Sequence, residues 1–566
     1  MKKILNFIVL SAFFFGNICL AQLAKFEQNE AAVTWRIKND ITVLASDSFM
    51  GRETGTAGEI MARDYIISQY KAIGIPPYFS EASYTQEFTF KDSPSPGDSN
   101  FFTIDGKPFV LSEDYYPLSF SASGYITAQV VYANYGISLP ASGYNDYKNK
   151  SGLKGKIFVI ETVLPEEHKT DTNFIKQADM QKKVDTAIAY GAAGIIFINS
   201  DIHANNPPEK LTSLIIPSSI PVIFVKEKAL GWIFSKKNTN LTEISVNIER
   251  KTKTGYNVAS YIDNKAATTI IIGAHYDHIG MGSENSRSTD TVPLIHNGAD
   301  DNASGTAAVI ELARYFMNTN KKNHNYLFIH FSGEEKGLYG SSFFTKSFFF
   351  DTSKTAYMLN IDMAGRYDTS KVGLDIEGTG TSTLWDTLIA ASLEKELKVK
   401  KTISGFGGSD HMSFYLRNIP VLSLTTGIHS DYHMPSDDAE KINFNGEAEI
   451  VKFAERLIEN TNTIKKIPFI KTKNDSNTRQ TKFSVTLGIV PDHSFDGKGL
   501  RIEGTSPGKP AEKAGLKGGD IIMKIGDYDV SEIMSYMKAL GYFKKGDKTK
   551  VIVKRGEETL TIDVEF

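Results

Sequence analysis

The chain has 566 residues, which is too long for one hydrophobic core, so roughly two to four domains are expected. Its 41% hydrophobic and 23% charged residues are ordinary values for a globular protein and exclude long disordered tails. The formal net charge of -3 provides no basic field, which argues against nucleic acid as the main partner.

The N-terminus has the pattern of a secretory signal peptide covering residues 1–21. Met1-Lys2-Lys3 is followed by an apolar run over 4–15 and by small or polar residues up to Ala21. The run is short for a membrane span of about 20 residues, and no later stretch is long and apolar enough. We therefore expect a secreted or periplasmic protein that has no membrane span after cleavage.

Cys19 is the only cysteine, and it lies inside the predicted signal peptide. It lacks the usual small residues before it, which disfavours lipoprotein attachment. A mature chain cut after Ala21 has no cysteine, so disulfides, thiolate metal ligands and a cysteine nucleophile are excluded.

The chain before residue 250 contains two different sequence patterns. Residues 30–75 have helix-like apolar spacing, interrupted by a polar, glycine-rich turn over 47–58. From about 110 to 250, short β-rich runs are broken by glycine and proline, and one helix is predicted over 174–190. The second pattern predicts a compact α/β module.

Between 256 and 464, strands of the buried type alternate with amphipathic helices. This alternation predicts a largely parallel sheet with helices on both faces, whose reactive groups lie where strands end. The predicted strands are 268–273, 326–331, 356–361 and 421–425, and the clearest predicted helices are 304–318 and 382–396. A polar stretch at 471–482 is a predicted linker, and a β-rich module follows it.

Residue types that bind metals follow the predicted strands in five segments. The segments are His275-Tyr276-Asp277-His278, Asp300-Asp301, Glu334-Glu335, Asp362-Met363-Ala364-Gly365 and Asp431-Tyr432-His433. Each alone has an ordinary explanation: a buried histidine in a core, a solvated Glu-Glu pair, or Asp301 as a helix N-cap. Their ordered occurrence at strand ends favours a metal site.

The residue types suit a hydrolase that uses two zinc ions. Two such ions about 3.5–4 Å apart need a bridging carboxylate and roughly two further protein ligands each. Imidazole and carboxylate ligands without thiolate suit hydrolytic zinc with an open position for water. One more carboxylate must stay off the metals to take the proton of that water.

The ordered motifs resemble those of the M28 zinc peptidases over about 30–100 and 255–465. The resemblance implies that His275 and Asp362 bind one Zn²⁺, that Glu335 and His433 bind the other, and that Asp301 bridges the two. It makes Glu334 the general base, Asp277 the carboxylate that orients His275, and Tyr432 a stabiliser of the oxyanion, unless Tyr432 only packs as an aromatic. Gly408-Ser409-Asp410-His411 resembles a family segment near the active site that does not bind metal.

Two further modules resemble known domains. The strand pattern over 111–250, with Gly191-Ala192-Ala193-Gly194, resembles a protease-associated (PA) domain inserted in the peptidase domain. Residues 483–566, with Gly518-Gly519-Asp520, resemble a bacterial PDZ domain, which accepts a peptide or protein ligand at its sheet edge unless it only packs. The peptidase domain would comprise 30–110 and 251–465, an α/β fold whose mostly parallel or mixed sheet is covered by helices, as in zinc exopeptidases.

The resemblance implies a di-zinc peptidase acting on peptide substrates, with an aminopeptidase expected. Spare carboxylates such as Asp300 or Asp431 could receive the substrate α-ammonium, whereas Arg366 could clamp a terminal carboxylate in a carboxypeptidase. A single-zinc glutaminyl cyclase and a non-catalytic receptor on the same scaffold remain alternatives. The side-chain preference, the PDZ ligand and the oligomeric state stay open.

Overall fold

The computed structural model describes residues 29–566 except 149, 202, 213–216, 235–240, 283, 284, 289, 291, 395, 473–484, 493, 494, 496 and 532. The predicted signal peptide, Cys19 and most of the predicted linker lie outside the described residues. Within these ranges no helix has both the length and the hydropathy that a membrane crossing requires. The chain divides into two compact units, one over 91–252 and one formed by residues up to 90 together with 253–566.

The larger unit contains an eight-stranded mixed sheet. Its strands are β1 (Thr85–Lys91), β2 (Thr252–Ile262), β3 (Thr269–His275), β4 (Asn325–Phe331), β5 (Thr355–Ile361), β6 (Leu374–Glu377), β7 (Val399–Thr402) and β8 (Val421–Thr425). They lie in the order β1-β2-β4-β3-β5-β8-β6-β7. The central strands β4, β3, β5 and β8 are parallel, while β2 and β6 run antiparallel to β4 and β8. The predicted mixed α/β architecture is confirmed.

Helices cover both faces of this sheet. They are α1 (Glu30–Leu44), α2 (Ala57–Ile73), α3 (Gly305–Met317), α4 (Tyr339–Lys346), α5 (Trp385–Ser392), α6 (His411–Tyr415) and α7 (Phe444–Thr461). Ile270 and Ile272 pack in the core formed with α1, α2, α3, α5 and α7, whereas Ile271 packs with α4 and α6. Helix α5 is shorter than predicted because Leu393 takes an extended backbone and ends it.

The smaller unit, over 91–252, has its own eight-stranded sheet. A predicted single helix over 174–190 is two helices, because Asp179 caps the second with its side chain. Phe102 and Ile104 are buried in this unit, so it begins before residue 111, the boundary predicted from sequence. Its sheet strands are Phe101–Ile104, Lys107–Phe109, Tyr115–Pro117, Gly124–Tyr132, Ile157–Glu161, Gly194–Ile198, Val222–Val225 and Leu241–Val246, and its α-helices are Thr172–Ile175, Met180–Ala189 and Glu227–Ile233.

The C-terminal part of the larger unit is β-rich. Its strands are β9 (Ile489–Pro491), β10 (Leu500–Thr505), β11 (Ile521–Ile525), β12 (Tyr528–Asp529), β13 (Lys548–Arg555) and β14 (Glu558–Glu565), with helices α8 (Pro510–Lys513) and α9 (Ile533–Leu540). β9 lies at one edge of the sheet. Lys346, the last residue of α4, pairs with Asp492 at 2.8 Å, and Val490 packs in the same apolar cluster as Phe344. These contacts join the β-rich part to the helix that follows the Glu334-Glu335 turn.

Candidate metal centre

The predicted site residues meet at the carboxyl edge of the sheet. His275 is the last residue of β3, Asp362 directly follows β5, and Glu334 and Glu335 lie in the turn after β4. His433 lies in the loop after β8. Because β3, β4, β5 and β8 are parallel, segments that are far apart in sequence arrive at one edge.

Asp301 lies between the two histidines. Its Oδ1 is 3.4 Å from His275 Nε2, and its Oδ2 is 3.2 Å from His433 Nε2. Asp362 Oδ1 is 3.2 Å from His275 Nε2, and Glu335 Oε2 is 3.1 Å from His433 Nε2. The structure therefore forms two carboxylate–imidazole groups that share the Asp301 carboxylate.

The donor atoms fit a pair of hydrolytic metal ions. His433 Nε2 is buried, yet no hydrogen bond satisfies it among the described residues, although two carboxylate oxygens lie close to it. The groups with ligand atoms within 4.8 Å of one another are His275, Glu334 and Asp362, and His278, Asp301 and Glu335. Nitrogen and oxygen donors of these types suit Zn²⁺.

His278 is a site residue to which the sequence analysis gave no role. Its side chain is buried, and its Nδ1 lies 2.8 Å from Glu335 Oε1. The two oxygens of Glu335 thus face His278 and His433 separately. The signal was its place in the His275-Tyr276-Asp277-His278 run, but only the folded turn shows which carboxylate it meets.

Asp301 is not the N-cap of a helix. Helix α3 begins at Gly305, and Asp301 itself has the non-helical backbone angles φ -106° and ψ 95°. The backbone N–H groups of Asp300 and Asp301 donate to Asp437 Oδ2 at 3.0 and 3.1 Å. Asp437 therefore fixes the segment that presents the shared carboxylate.

Asp277 organises the turn that carries Glu334 and Glu335. Its carboxylate accepts hydrogen bonds from the Thr54 hydroxyl at 2.9 Å and from the backbone N–H of Glu334 at 3.2 Å and of Glu335 at 3.4 Å. His275 Nδ1 lies 3.1 Å from the backbone carbonyl of Asp277 and 3.7 Å from its carboxylate. The sequence predicts that the Asp277 carboxylate orients His275. In the structure the nearer partner of His275 Nδ1 is the backbone carbonyl of Asp277.

Arg52 joins the loops on which the site is built. Its buried guanidinium donates to the backbone carbonyls of Tyr276 at 2.9 Å, Leu44 at 2.7 Å, Asn297 at 2.6 Å and Gly298 at 2.8 Å. Burial lowers its pKa to about 10, which leaves it charged at neutral pH. One side chain thus joins the residue after His275 to the segment just before Asp301.

Replacing Arg52 with methionine is expected to reduce the free energy of unfolding by about 3 kcal/mol or more, because four buried carbonyls lose their donor. Urea unfolding of the full chain measures this loss. Arg63→Met is the matched control, since Arg63 pairs near the surface with the neighbouring Asp64 and should cost less than about 1 kcal/mol. Equal losses for the two variants would contradict the role given to Arg52.

Burial and charge set the protonation of the remaining predicted residues. Burial raises the pKa of Glu334 well above its usual range, and the carboxylates of Glu335 and Asp362 add to this rise. Burial, together with the surrounding carboxylates, also raises the pKa of Tyr432, so its hydroxyl keeps its proton. The Tyr432 ring stacks on the His433 ring with centroids 3.9 Å apart. The Tyr432 ring therefore packs against His433, an arrangement compatible with both roles expected for it from the sequence.

The carboxylates proposed as receptors for a substrate ammonium already have partners. Asp300 accepts from the Gly365 backbone N–H at 2.6 Å and faces His429 Nε2 at 3.1 Å. Asp431 contacts Lys441 Nζ at 2.5 Å and Arg366 Nη2 at 2.9 Å. The same ion pair engages Arg366, the candidate clamp for a terminal carboxylate. These three expectations from sequence are not supported by the structure.

The sheet and the carboxylate–imidazole cluster at its carboxyl edge define an α/β domain with a candidate metal centre. Residues 257–458 match the model of peptidase family M28, residues 126–233 match the PA domain and residues 476–566 match the PDZ domain. The matches to an M28 peptidase, a PA domain and a PDZ domain are in the arrangement that the resemblance predicted.

Known proteins align with parts of this chain. A protein named "Probable leucine aminopeptidase" from Trichophyton verrucosum is 30% identical over 175 residues, 29% of this chain and 44% of that protein. The chain spans about half the length of the curated relatives that it matches.

Two solved structures are also similar. The aminopeptidase from Aneurinibacillus sp. strain AM-1 has 22% identity, a TM-score of 0.43 and coverage of 81% of this chain and 99% of that chain. A zinc aminopeptidase from Bacillus subtilis has 20% identity, a TM-score of 0.45 and coverage of 75% and 94%.

Proposed function

We propose that the protein is a secreted di-zinc peptidase that removes residues from the N-termini of peptides. The observation that carries this proposal is the position of Asp301, whose two oxygens each face the imidazole of a different carboxylate–imidazole group. A shared carboxylate is the feature that a two-metal hydrolase requires and a one-metal centre does not. The M28 domain match supports hydrolysis of peptide bonds.

Five of these residues would hold the metal ions, and Glu334 would move a proton. His275 and Asp362 would hold one zinc ion, Glu335 and His433 the other, and Asp301 both. Two zinc ions held there would lower the pKa of a water molecule toward neutrality and polarise the scissile carbonyl. Glu334 takes the proton of that water and returns it to the departing amine. The Tyr432 hydroxyl can donate a hydrogen bond to the oxyanion.

The choice of the N-terminus rests on the relatives. The curated relatives that align with this chain include proteins named as leucine aminopeptidases. Export is part of the proposal because of the signal-peptide pattern over residues 1–21.

Metal analysis and a set of matched peptides test this function. The purified protein is expected to bind about two zinc ions per chain. Mass spectrometry should show removal of N-terminal residues from free and C-amidated peptides but not from N-acetylated ones, because acetylation removes the α-ammonium. Rapid cleavage of acetylated peptides would rule out the aminopeptidase function. One zinc ion per chain would favour the glutaminyl cyclase. A protein that binds no zinc would favour the non-catalytic receptor.

A further inference from the structure

Glu377 lies on the face of the sheet that carries Asp362. In the strand register Glu377 is opposite Ser423, which is opposite Asn360, two residues before Asp362. Side chains alternate between the two faces of a sheet, so Glu377, Asn360 and Asp362 point to the same side. Asn360 Nδ2 donates to Ser409 Oγ at 2.9 Å, which places the segment containing His411 over this face.

His411 faces Glu377 across a gap. Its side chain is 1% exposed, and neither ring nitrogen has a hydrogen-bond partner in the described part of the chain. His411 Nε2 is 4.0 Å from Glu377 Oε2, and no closer ion pair engages that carboxylate among the described residues. The Glu377 side chain is 33% exposed, so solvent reaches one side of the gap.

The gap offers acceptors to a ligand. Burial lowers the pKa of His411 to about 4, so its imidazole is neutral and one ring nitrogen accepts a hydrogen bond. Gly407 borders the gap, where a Cβ would lie 2.4 Å from His411 Nε2 and 3.5 Å from Glu377 Oε2. A carboxylate and a neutral imidazole around an opening kept by glycine are suited to a cationic donor.

Lys400, a cation on the strand next to Glu377, is already engaged. Lys400 on the neighbouring strand β7 pairs with Asp375, which also accepts from Thr402 Oγ1 at 2.9 Å. Burial, followed by the carboxylates of Asp375 and Asp362, raises the pKa of Glu377 to about 7. Such a rise is the response of a carboxyl group that lacks a cationic partner.

The position of Glu377 selects which part of a substrate it can meet. One strand, β8, separates β6 from β5, so the backbones of Glu377 and Asn360 are about 9.5 Å apart. Glu377 thus lies two strands away from the strand that leads to Asp362, so a substrate group that meets it must extend sideways from a carbonyl held at the metal centre. The flexible four-carbon stem of a lysine side chain can span this distance.

We propose that Glu377 and His411 receive the cationic side chain of an N-terminal lysine or arginine, so that the enzyme prefers basic N-terminal residues. This inference rests on the proposed aminopeptidase function and specifies its substrate class. The ammonium or guanidinium group donates to the Glu377 carboxylate and to the accepting nitrogen of His411.

The test compares kcat/KM for lysyl, norleucyl and leucyl derivatives of 7-amino-4-methylcoumarin. Norleucine keeps the apolar stem of lysine without its ammonium, so the lysyl-to-norleucyl ratio isolates the charge. We expect a ratio of about ten or more for the wild-type chain, the value of a hydrogen bond to a charged group. Glu377→Gln should bring the ratio to about one by slowing lysyl hydrolysis alone.

Asp386→Asn is the control, because it removes an exposed carboxylate that pairs with Lys401 and leaves the Asp375–Lys400 pair intact, so the ratio should be kept. A wild-type ratio near one overturns the inference without any variant, as does an unchanged ratio in a Glu377→Gln protein that retains its zinc. In either case the leucyl substrate is still cleaved, so the aminopeptidase function stands. Failure to cleave all three substrates overturns that function and this inference with it.

Discussion

Glu334→Gln is expected to lower kcat by about 10²–10⁴-fold while the protein keeps its zinc. The glutamine amide has the size of the carboxylate but cannot take the proton of the attacking water. The turn that carries Glu334 should survive, because its backbone N–H bonds to Asp277 and does not depend on the side chain. Steady-state kinetics on an N-terminally free peptide, with zinc measured on the same sample, test this result.

The neighbouring residue is the matched control for Glu334. Glu335→Gln should lose zinc as well as activity, because the two oxygens of Glu335 face His278 and His433. More than about a tenth of wild-type activity in Glu334→Gln would contradict the general-base role, since such a base contributes at least about 10²-fold.

Asp301→Ala is expected to remove both activity and most of the bound zinc. The substitution takes away the carboxylate that both groups share, so each ion loses a ligand at once. It also removes the carboxylate that lies between the imidazoles of His275 and His433. Because the Asp437 contact uses the backbone N–H of residue 301, the local chain path should be retained. Zinc analysis after gel filtration, followed by the peptide assay, measures the effect.

Asp431→Asn distinguishes loss of a ligand from loss of nearby charge. Asp431 lies two residues before His433 but pairs with Arg366 and Lys441. This variant should keep its zinc. If Asp301→Ala bound as much zinc as the wild-type chain, the bridging role of Asp301 would be wrong.

Much of the architecture could be predicted from local pattern. The buried strands 268–273, 326–331, 356–361 and 421–425 are apolar runs between helical segments, a pattern typical of parallel strands covered on both faces. Once these strands are placed in one parallel sheet, the residues after them must meet at its carboxyl edge. This is why the strand pattern alone predicts that His275, Asp362 and His433 are neighbours.

The helix boundaries and the domain edge were less predictable. Asp179 divides the helix predicted over 174–190, and Leu393 ends α5 early, because capping and backbone angles at single residues decide such boundaries. Residues 101–109 contain no specific sequence motif, so only the strand pairing shows which sheet they join.

By itself, the sequence determined the order of metal-type residues at strand ends and the three-domain arrangement, because both depend on short motifs and on residue periodicity. Only the tertiary structure decided which partner each polar group has. Arg52 meets the carbonyls of Asn297 and Gly298, His278 meets Glu335, and Asp300 and Asp431 are already paired. These contacts join residues far apart in the chain, and hydrogen bonding depends on distances of a few tenths of an ångström that no local pattern specifies.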